Sequence, residues 1–415
     1  MIEQAAFEGE TRRDKLRLWV VSEVYFPEET STGYYMTAIA EGLSSKFDVK
    51  VLCGQPNYFA RGVRAPKREH HNGTEIFRAS GTTLNKNVLI LRLVNMATHG
   101  LSMFGQALFR FRRADRVLVV TTPPSMPFVI ALASLLKGSI FTLLIHDCYP
   151  EQAIATGVLR KDSWVARLNE FFNRWLYKHA ARIIVVSRDM KELIERKTTG
   201  LGIPVEVIPN WAETEDVYPT SNENNPLLKT LGISDKLVIL HAGNIGRPTD
   251  VETVIQCLAG LKDDERFHFV FIGSGAKKQK LEDAIQQHGL NNLTLLPPEP
   301  RANQIEFLNA CDIGLVSLVN GMWGAAMPSK TYNIMAAGKP ILALTDPGSE
   351  LAQVIEEEGI GWFLPSGGPA VLRETLETIY QHREKLNEMG QRARRAAEEK
   401  YSLAAALNNY EYVIK

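Results

Sequence analysis

The stretch Pro328-Ser329-Lys330-Thr331 opens a segment of small and apolar residues that stops at Gly338, ahead of the apolar run Ile341–Leu344. The natural reading is a helix whose start carries one lysine and two hydroxyls. Free backbone N–H groups at such a start add roughly half a positive charge, and a lysine gives phosphate a point charge. An anion suits this corner. The plain alternative is an N-cap serine beside a solvated lysine. Two further turns tip the balance toward the anion. Leu240-His-Ala-Gly243-Asn244-Ile-Gly246-Arg247 reads as strand, glycine turn and helix, and its glycines and arginine suit a diphosphate. Gly273-Ser-Gly275 closes the next strand. Lys278 stands where the dinucleotide fingerprint needs a third glycine, which disfavours a dehydrogenase.

The first half offers two weaker sites. A loop after the first strand ends in Ser31-Thr-Gly33-Tyr34, where Gly33 lets backbone approach a phosphate or simply serves an ordinary strand–helix loop. His146-Asp147 follows the buried run Ile140–Ile145. That is where α/β proteins collect polar groups. The two residues read equally as packing and a helix cap.

These residues need elements to position them, and the chain supplies one alternating grammar. Strands are expected at Leu18–Val24, Val49–Cys53, Val117–Thr121, Ile140–Ile145 and Ile183–Ser187, then at Leu237–His241, Phe267–Ile272, Ile313–Ser317 and Ile341–Leu344. The runs are nearly continuous in apolar residues, as in strands buried on both faces. Helical patterns such as Met36–Leu43, Leu168–His179, Val251–Leu261 and Gln279–His288 lie between them, the signature of βαβ units. The polar stretch Pro219–Pro226 divides the chain near its middle. Two parallel-sheet halves with a hinge imply a cleft, with ligands beyond the strand ends.

Composition narrows the class. The 415 residues are 45% hydrophobic and 23% charged, with zero net charge. No global field favours nucleic acid. Four scattered cysteines form neither a zinc site nor a disulfide framework, and a reducing cytoplasm fits. The mixed-charge residues 1–16 do not read as a secretory leader. Prolines break the run Val117–Leu136, so it does not read as a membrane span. Ala97, Leu101, Phe104, Leu108 and Phe111 fall at helical spacing, with Arg110, Arg112, Arg113 and Arg116 at the end. The stripe over residues 96–116 reads as core or as a peripheral membrane contact.

In the order and spacing of its motifs the chain resembles family 4 of the retaining glycosyltransferases, of the GT-B fold. The motifs are Ile208-Pro-Asn210-Trp-Ala-Glu213, Gly243-Asn-Ile-Gly246, Phe271-Ile-Gly-Ser-Gly275, Asn309-Ala-Cys-Asp312 and Pro328-Ser-Lys-Thr-Tyr-Asn-Ile-Met-Ala-Ala-Gly-Lys-Pro340. His146-Asp-Cys-Tyr-Pro-Glu151 and the Gly33 loop match more loosely. The closest likeness is to transferases that build bacterial exopolysaccharide or O-antigen. The resemblance implies two Rossmann-like domains facing a cleft: residues 1–215 on the acceptor side and 216–396 for the nucleotide-sugar, with 397–415 returning to the first. It implies a nucleotide diphosphate-sugar donor, UDP favoured, a glycan or lipid-linked acceptor, and no cofactor or metal. It implies no nucleic acid partner, and a cytoplasmic location, peripheral at the inner face of the plasma membrane if the 96–116 contact is real.

Carried over residue by residue, Ser329 and Lys330 belong at the donor diphosphate, with Thr331 beside them. Gly33 faces the donor from across the cleft, and Gly273 and Gly275 lie near the nucleoside. Asn244, Gly246 and Arg247 complete the donor set. His146, Asp147 and Lys330 are the candidates at the reacting sugar. The chain departs from the pattern twice. Ala325 and Asn333 stand where many members carry two glutamates, leaving Asn333 as a neutral ribose contact. Asn244 and Asp250 stand where many carry an arginine and a lysine. A sugar-nucleotide epimerase or hydrolase on the same scaffold, or a non-catalytic partner subunit, remains the alternative.

Overall fold

The computed structural model describes residues 15–56, 64–82, 84 and 89–415. The first lobe is an eight-stranded sheet of β1 (Arg17–Val21), β2 (Asp48–Cys53), β3 (Arg68–His71), β4 (Thr74–Arg78), β5 (Arg116–Val120), β6 (Ile140–Ile145), β7 (Arg182–Val185) and β8 (Val205–Val207). Its order is β3-β4-β2-β1-β5-β6-β7-β8. All pairings are parallel except β3 with β4. The apolar runs sit inside because helices cover both faces. Helix α1 (Ser31–Leu43) follows β1, and its crossover moves one way along the sheet. Helices α2 (Leu89–Arg110), α3 (Met126–Lys137), α4 (Glu151–Ala155) and α5 (Trp164–His179) belong to crossovers that move the other way. Right-handed crossovers therefore put α2, α3 and α5 on the face opposite α1. Helix α6 (Arg188–Lys197) precedes β8.

Several boundaries differ from the sequence reading: α5 starts at Trp164 rather than Leu168, and β7 ends at Val185 rather than Ser187. The first strand ends at Val21 rather than Val24, and Ser22 N–H then reaches the Leu52 carbonyl. The first helix starts at Ser31 rather than Met36. Thr30 caps it, its hydroxyl accepting from Gly33 N–H at 3.2 Å, so the polar Ser-Thr-Gly stretch is already helical.

The second lobe carries α7 (Pro226–Leu231), α8 (Val251–Gly260), α9 (Lys278–His288), α10 (Gln304–Asn309), α11 (Lys330–Ala336), α12 (Glu350–Glu358), α13 (Pro369–Gln381) and α14 (Leu386–Glu399). They surround a six-stranded sheet of β9 (Leu237–Ala242), β10 (Phe267–Ile272), β11 (Leu293–Leu296), β12 (Ile313–Ser317), β13 (Ile341–Leu344) and β14 (Gly361–Leu364), ordered β11-β10-β9-β12-β13-β14 and parallel throughout. Helix α15 (Leu403–Ile414) packs against α1 of the first lobe, and the Arg116 guanidinium donates to the Lys415 carbonyl at 2.8 Å. The carboxyl ends of the two sheets meet. Asp147, after β6, bridges Ala326 of the second lobe, and Cys148 N–H donates to the Ala325 carbonyl at 2.8 Å.

Candidate functional site

The second lobe builds the floor of the cleft from two backbone turns. Gly243 N–H donates to Ile272 O at 2.8 Å, Ile245 N–H to Ser274 O at 2.9 Å and Lys277 N–H to Ile245 O at 3.0 Å. The turn after β9 is thus laced to the turn after β10. Gly273 has φ of +151° and lies against the Gly243 carbonyl; Gly275 lies against the Ile245 carbonyl and the Asn244 side chain. A Cβ at either position would occupy space already filled, so these glycines make the close approach possible. Asn244 folds over Gly246 and Gly275.

Lys330, at the start of α11, completes this floor. Its side chain runs over Gly243, where a Cβ would lie 3.4 Å from Nζ. Nζ lies 2.8 Å from Nε2 of His241, at the end of β9. Burial pushes the Lys330 ammonium down to about 7, and no charged group offsets that. Burial, and secondarily the Lys330 charge, holds His241 well below its ordinary value, so the ring is neutral. A cation with no carboxylate partner, set over a glycine turn, is arranged for an anion from outside the protein.

The first lobe reaches the same place through α1. Ser31 and Ser329 hydroxyls lie 2.8 Å apart across the cleft. Gly33 is buried, and its N–H is taken up by Thr30; the group this helix presents to Ser329 is the Ser31 hydroxyl. Arg247 is exposed and makes no ion pair among the described residues. Thr331 is fully buried, with no hydrogen-bond partner for its hydroxyl. Asp250 caps α8, accepting from Thr253 N–H at 3.0 Å.

Asn333 faces an unexpected neighbour. Its side-chain carbonyl accepts from Glu213 N–H at 3.1 Å, and its amide donates to the Glu213 carboxylate and to Gln304 at 2.7 Å. Arg301 also grips Glu213, Nε to Oε2 at 2.8 Å. The Arg301 guanidinium lies 3.7 Å from the centre of the Tyr34 ring on α1. A carboxylate therefore does stand beside position 333, supplied by the segment joining the lobes.

His146 and Asp147 sit where the lobes touch. Both backbone N–H groups point at Thr121 Oγ1, at 3.2 and 3.5 Å. The His146 ring is edge-on to Tyr35 at 6.5 Å between centres, and burial holds it neutral, near 4. Its Nε2 is buried without a partner. Burial pushes the Asp147 carboxyl up to about 6, against a 2.8 Å hydrogen bond from Gln152. Asp147 does not cap the next helix, whose N-cap is Pro150.

The structure thus brings Lys330, Ser329, Gly243, Asn244, Gly246, Gly273 and Gly275 together, and bridges Asp147 to Ala326, just before Ser329. His241, Ser31, Glu213 and Arg301 were not singled out as site residues from sequence. Among the described residues no group of three or more His, Cys, Asp or Glu side chains is placed to hold a metal ion.

Residues 31–211 match the model of a glycosyl transferase 4-like domain, and residues 227–396 that of glycosyl transferases group 1. A probable glycosyltransferase, WbjE of Pseudomonas aeruginosa, is 31% identical over 96% of this chain and 98% of its own length. A putative colanic acid biosynthesis glycosyl transferase, WcaI of Escherichia coli (strain K12), is 28% identical over 82% of this chain and 86% of its own. Among solved structures, sucrose-phosphate synthase from Thermosynechococcus elongatus superposes with a TM-score of 0.76 at 13% identity, over 96% of this chain and 98% of that one. HepE of Anabaena, in complex with UDP and glucose, superposes with a TM-score of 0.72 at 14% identity, over 96% and 99%. At such identities these two likenesses concern the fold.

Proposed function

The chain belongs to the group 1 glycosyl transferases and is a glycosyltransferase of the GT-B fold; from that premise we propose the transfer it performs. The donor is a UDP-sugar, its diphosphate lying over the Gly243 turn against Lys330, Ser329 and the backbone of the interlaced turns. The acceptor is a hydroxyl of a glycan or lipid-linked sugar in bacterial surface polysaccharide synthesis. The observation that carries the reading is the Lys330 cation, set over the Gly243 turn with no anion beside it among the described residues. The names of WbjE and WcaI, and the UDP bound by HepE, agree with it.

The difficult step leaves negative charge on the diphosphate and positive character on the sugar. Preorganised donors at the diphosphate stabilise that charge. Lys330 and the turn backbone do this without calling on a metal or cofactor. Attack on the same face retains the anomeric configuration, the departing phosphate oxygen taking the acceptor proton. Asp147 and His146 lie on the acceptor side, where a carboxyl near 6 and a neutral ring can hold sugar hydroxyls. The test is thermal shift with nucleotides. UDP should raise Tm in proportion to the logarithm of its concentration above Kd. A Tm unmoved by both UDP and GDP would remove the reading.

The protein works at a membrane surface in this proposal. No helix among the described residues is long and apolar enough to cross a membrane. The stripe seen in the sequence splits: Phe111, just after α2, enters the core, Phe104 and Leu108 are half-buried against it, and Ala97 and Leu101 are exposed, Leu101 at 71%, with the neighbouring Phe109 91% exposed. Leu135 and Leu136 of α3 and Phe171 and Phe172 of α5 are exposed on the same side of the sheet, with Arg112 and Arg113 exposed after α2. Apolar groups beside cations suit an anionic bilayer. The protein should float with phosphatidylglycerol vesicles at low salt and less at high salt. Leu101→Glu with Phe109→Glu should abolish flotation; wild type that stays at the bottom at every salt concentration speaks against the contact.

A further inference from the structure

Among the described residues the nitrogen of Lys330 has one partner, and that partner sits in a strand. His241 is the fifth residue of β9, 1% exposed, its ring stacked on Phe271 of β10 at 5.0 Å between centres. Its Nε2 lies 2.8 Å from Lys330 Nζ. A lysine side chain has many rotamers and loses entropy when held in one. A buried ring locked by stacking is a rigid acceptor, and one hydrogen bond to it fixes the direction of the ammonium. The fixed nitrogen stands over Gly243, the turn that has no side chain of its own.

We propose that His241 is a positioning residue for donor binding. Through its Nε2 it accepts a hydrogen bond from Lys330 and holds the ammonium over the Gly243 turn, toward a nucleoside diphosphate. This rests on the donor reading given above. His241 acts through Lys330 and does not itself touch the donor.

The surroundings explain why a neutral acceptor suits this place better than a carboxylate. An aspartate here would satisfy Lys330 permanently and compete with the diphosphate. Phe271 on β10 and Asn244 in the turn bring no charge, Arg247 is exposed, and α1 reaches Ser329 through the Ser31 hydroxyl. No charged group other than Lys330 acts on His241, and none shifts Lys330. With Lys330 titrating at about 7 in the free protein, an arriving diphosphate draws a proton onto it. Binding should therefore weaken as pH rises above 7 and level off below it, since only above 7 is a proton taken up.

The experiment is calorimetric titration of UDP between pH 7 and 9, in buffers of different ionisation enthalpy. The proteins are wild type, His241→Phe and His241→Gln. Wild type should take up close to one proton at pH 8. His241→Phe keeps the stacking and loses the acceptor. Its Kd at pH 8 should rise about tenfold, the effect of losing one charge-assisted hydrogen bond, and its pH midpoint should move down. His241→Gln, which can still accept, should recover most of the affinity. Equal affinity and equal proton uptake in all three proteins would overturn the proposal. If wild type binds neither UDP nor GDP, the donor reading fails instead. The His241–Lys330 bond is then read from the imidazole nitrogen resonances of nucleotide-free protein. They should shift in Lys330→Met, and unmoved resonances would overturn the proposal.

Discussion

Lys330→Met is expected to lower kcat/KM about 10²- to 10³-fold, the cost of removing one preorganised donor to a developing negative charge. The loss should fall on kcat as well as KM, because the leaving diphosphate carries more charge in the transition state than in the bound donor. The fold should not suffer with it. Among the described residues Lys330 Nζ makes no ion pair, and its partner is the neutral His241. Burial has pushed the ammonium down to about 7, whereas an unfolded lysine titrates near 10.4. Between these values the unfolded chain binds more protons than the folded one, so the wild type gains stability as pH rises from about 7 toward 10. The methionine variant lacks this penalty. Without nucleotide its Tm should match or exceed that of wild type near pH 7, and the gap should close toward pH 10. Steady-state kinetics and melting curves check both halves. Near wild-type turnover would remove Lys330 from the site; a collapsed Tm would make it a structural residue.

That contrast between function and fold also explains which parts of the molecule could be read from sequence. The inner strands of both sheets were legible because parallel strands covered on both faces must be apolar throughout, as Leu237–Ala242 and Phe267–Ile272 are; the short edge strands β8, β11 and β14, whose residues are mostly half-buried, were not. The hairpin β3–β4 was not, because Arg68-Glu-His-His71 carries no apolar pattern at all. Its one local signal is Asn72-Gly73, both at positive φ, a pair suited to a two-residue hairpin turn. The start of α1 was misplaced because Ser31-Thr-Gly-Tyr-Tyr has weak helix propensity; the Thr30 cap decides it.

In the site, glycines and Lys330 announce themselves, since each is unusual where it stands. His241 does not. A histidine inside Leu-Val-Ile-Leu-His-Ala reads as a core residue, and its partner lies 89 positions away. From sequence, Asn333 reads as a ribose contact weakened by lack of charge. The missing information was spatial: Glu213, 120 residues earlier, lies against its amide. The carboxylate absent from position 333 is present in the cleft on another segment, held by Asn333 and Arg301.

Gly273→Ala should be among the most damaging of the conservative substitutions, and its cost follows from backbone alone. Gly273 has φ of +151°, a conformation that residues with a side chain rarely adopt, and a Cβ there would overlap the Gly243 carbonyl oxygen. The overlap has no soft exit. Gly243 is tied to Ile272 at 2.8 Å, and Gly273 to Leu296 at 3.1 Å. Moving either turn breaks ladder bonds at the ends of β9, β10 or β11. Strain together with lost hydrogen bonds should cost on the order of 3–5 kcal/mol. For a lobe of this size that is a fall in Tm of roughly 10 °C. UDP binding should go with it, because the turn that moves is the one beneath Lys330. The control is Gly232→Ala, at φ of +67° with nothing within 4 Å of the new Cβ. It bears left-handed strain alone, about 1 kcal/mol, and should bind UDP normally. If the two variants melt together, the close approach of the two turns is wrong. If Gly273→Ala melts early yet binds UDP as wild type does, the turns are packed as described and the donor lies elsewhere.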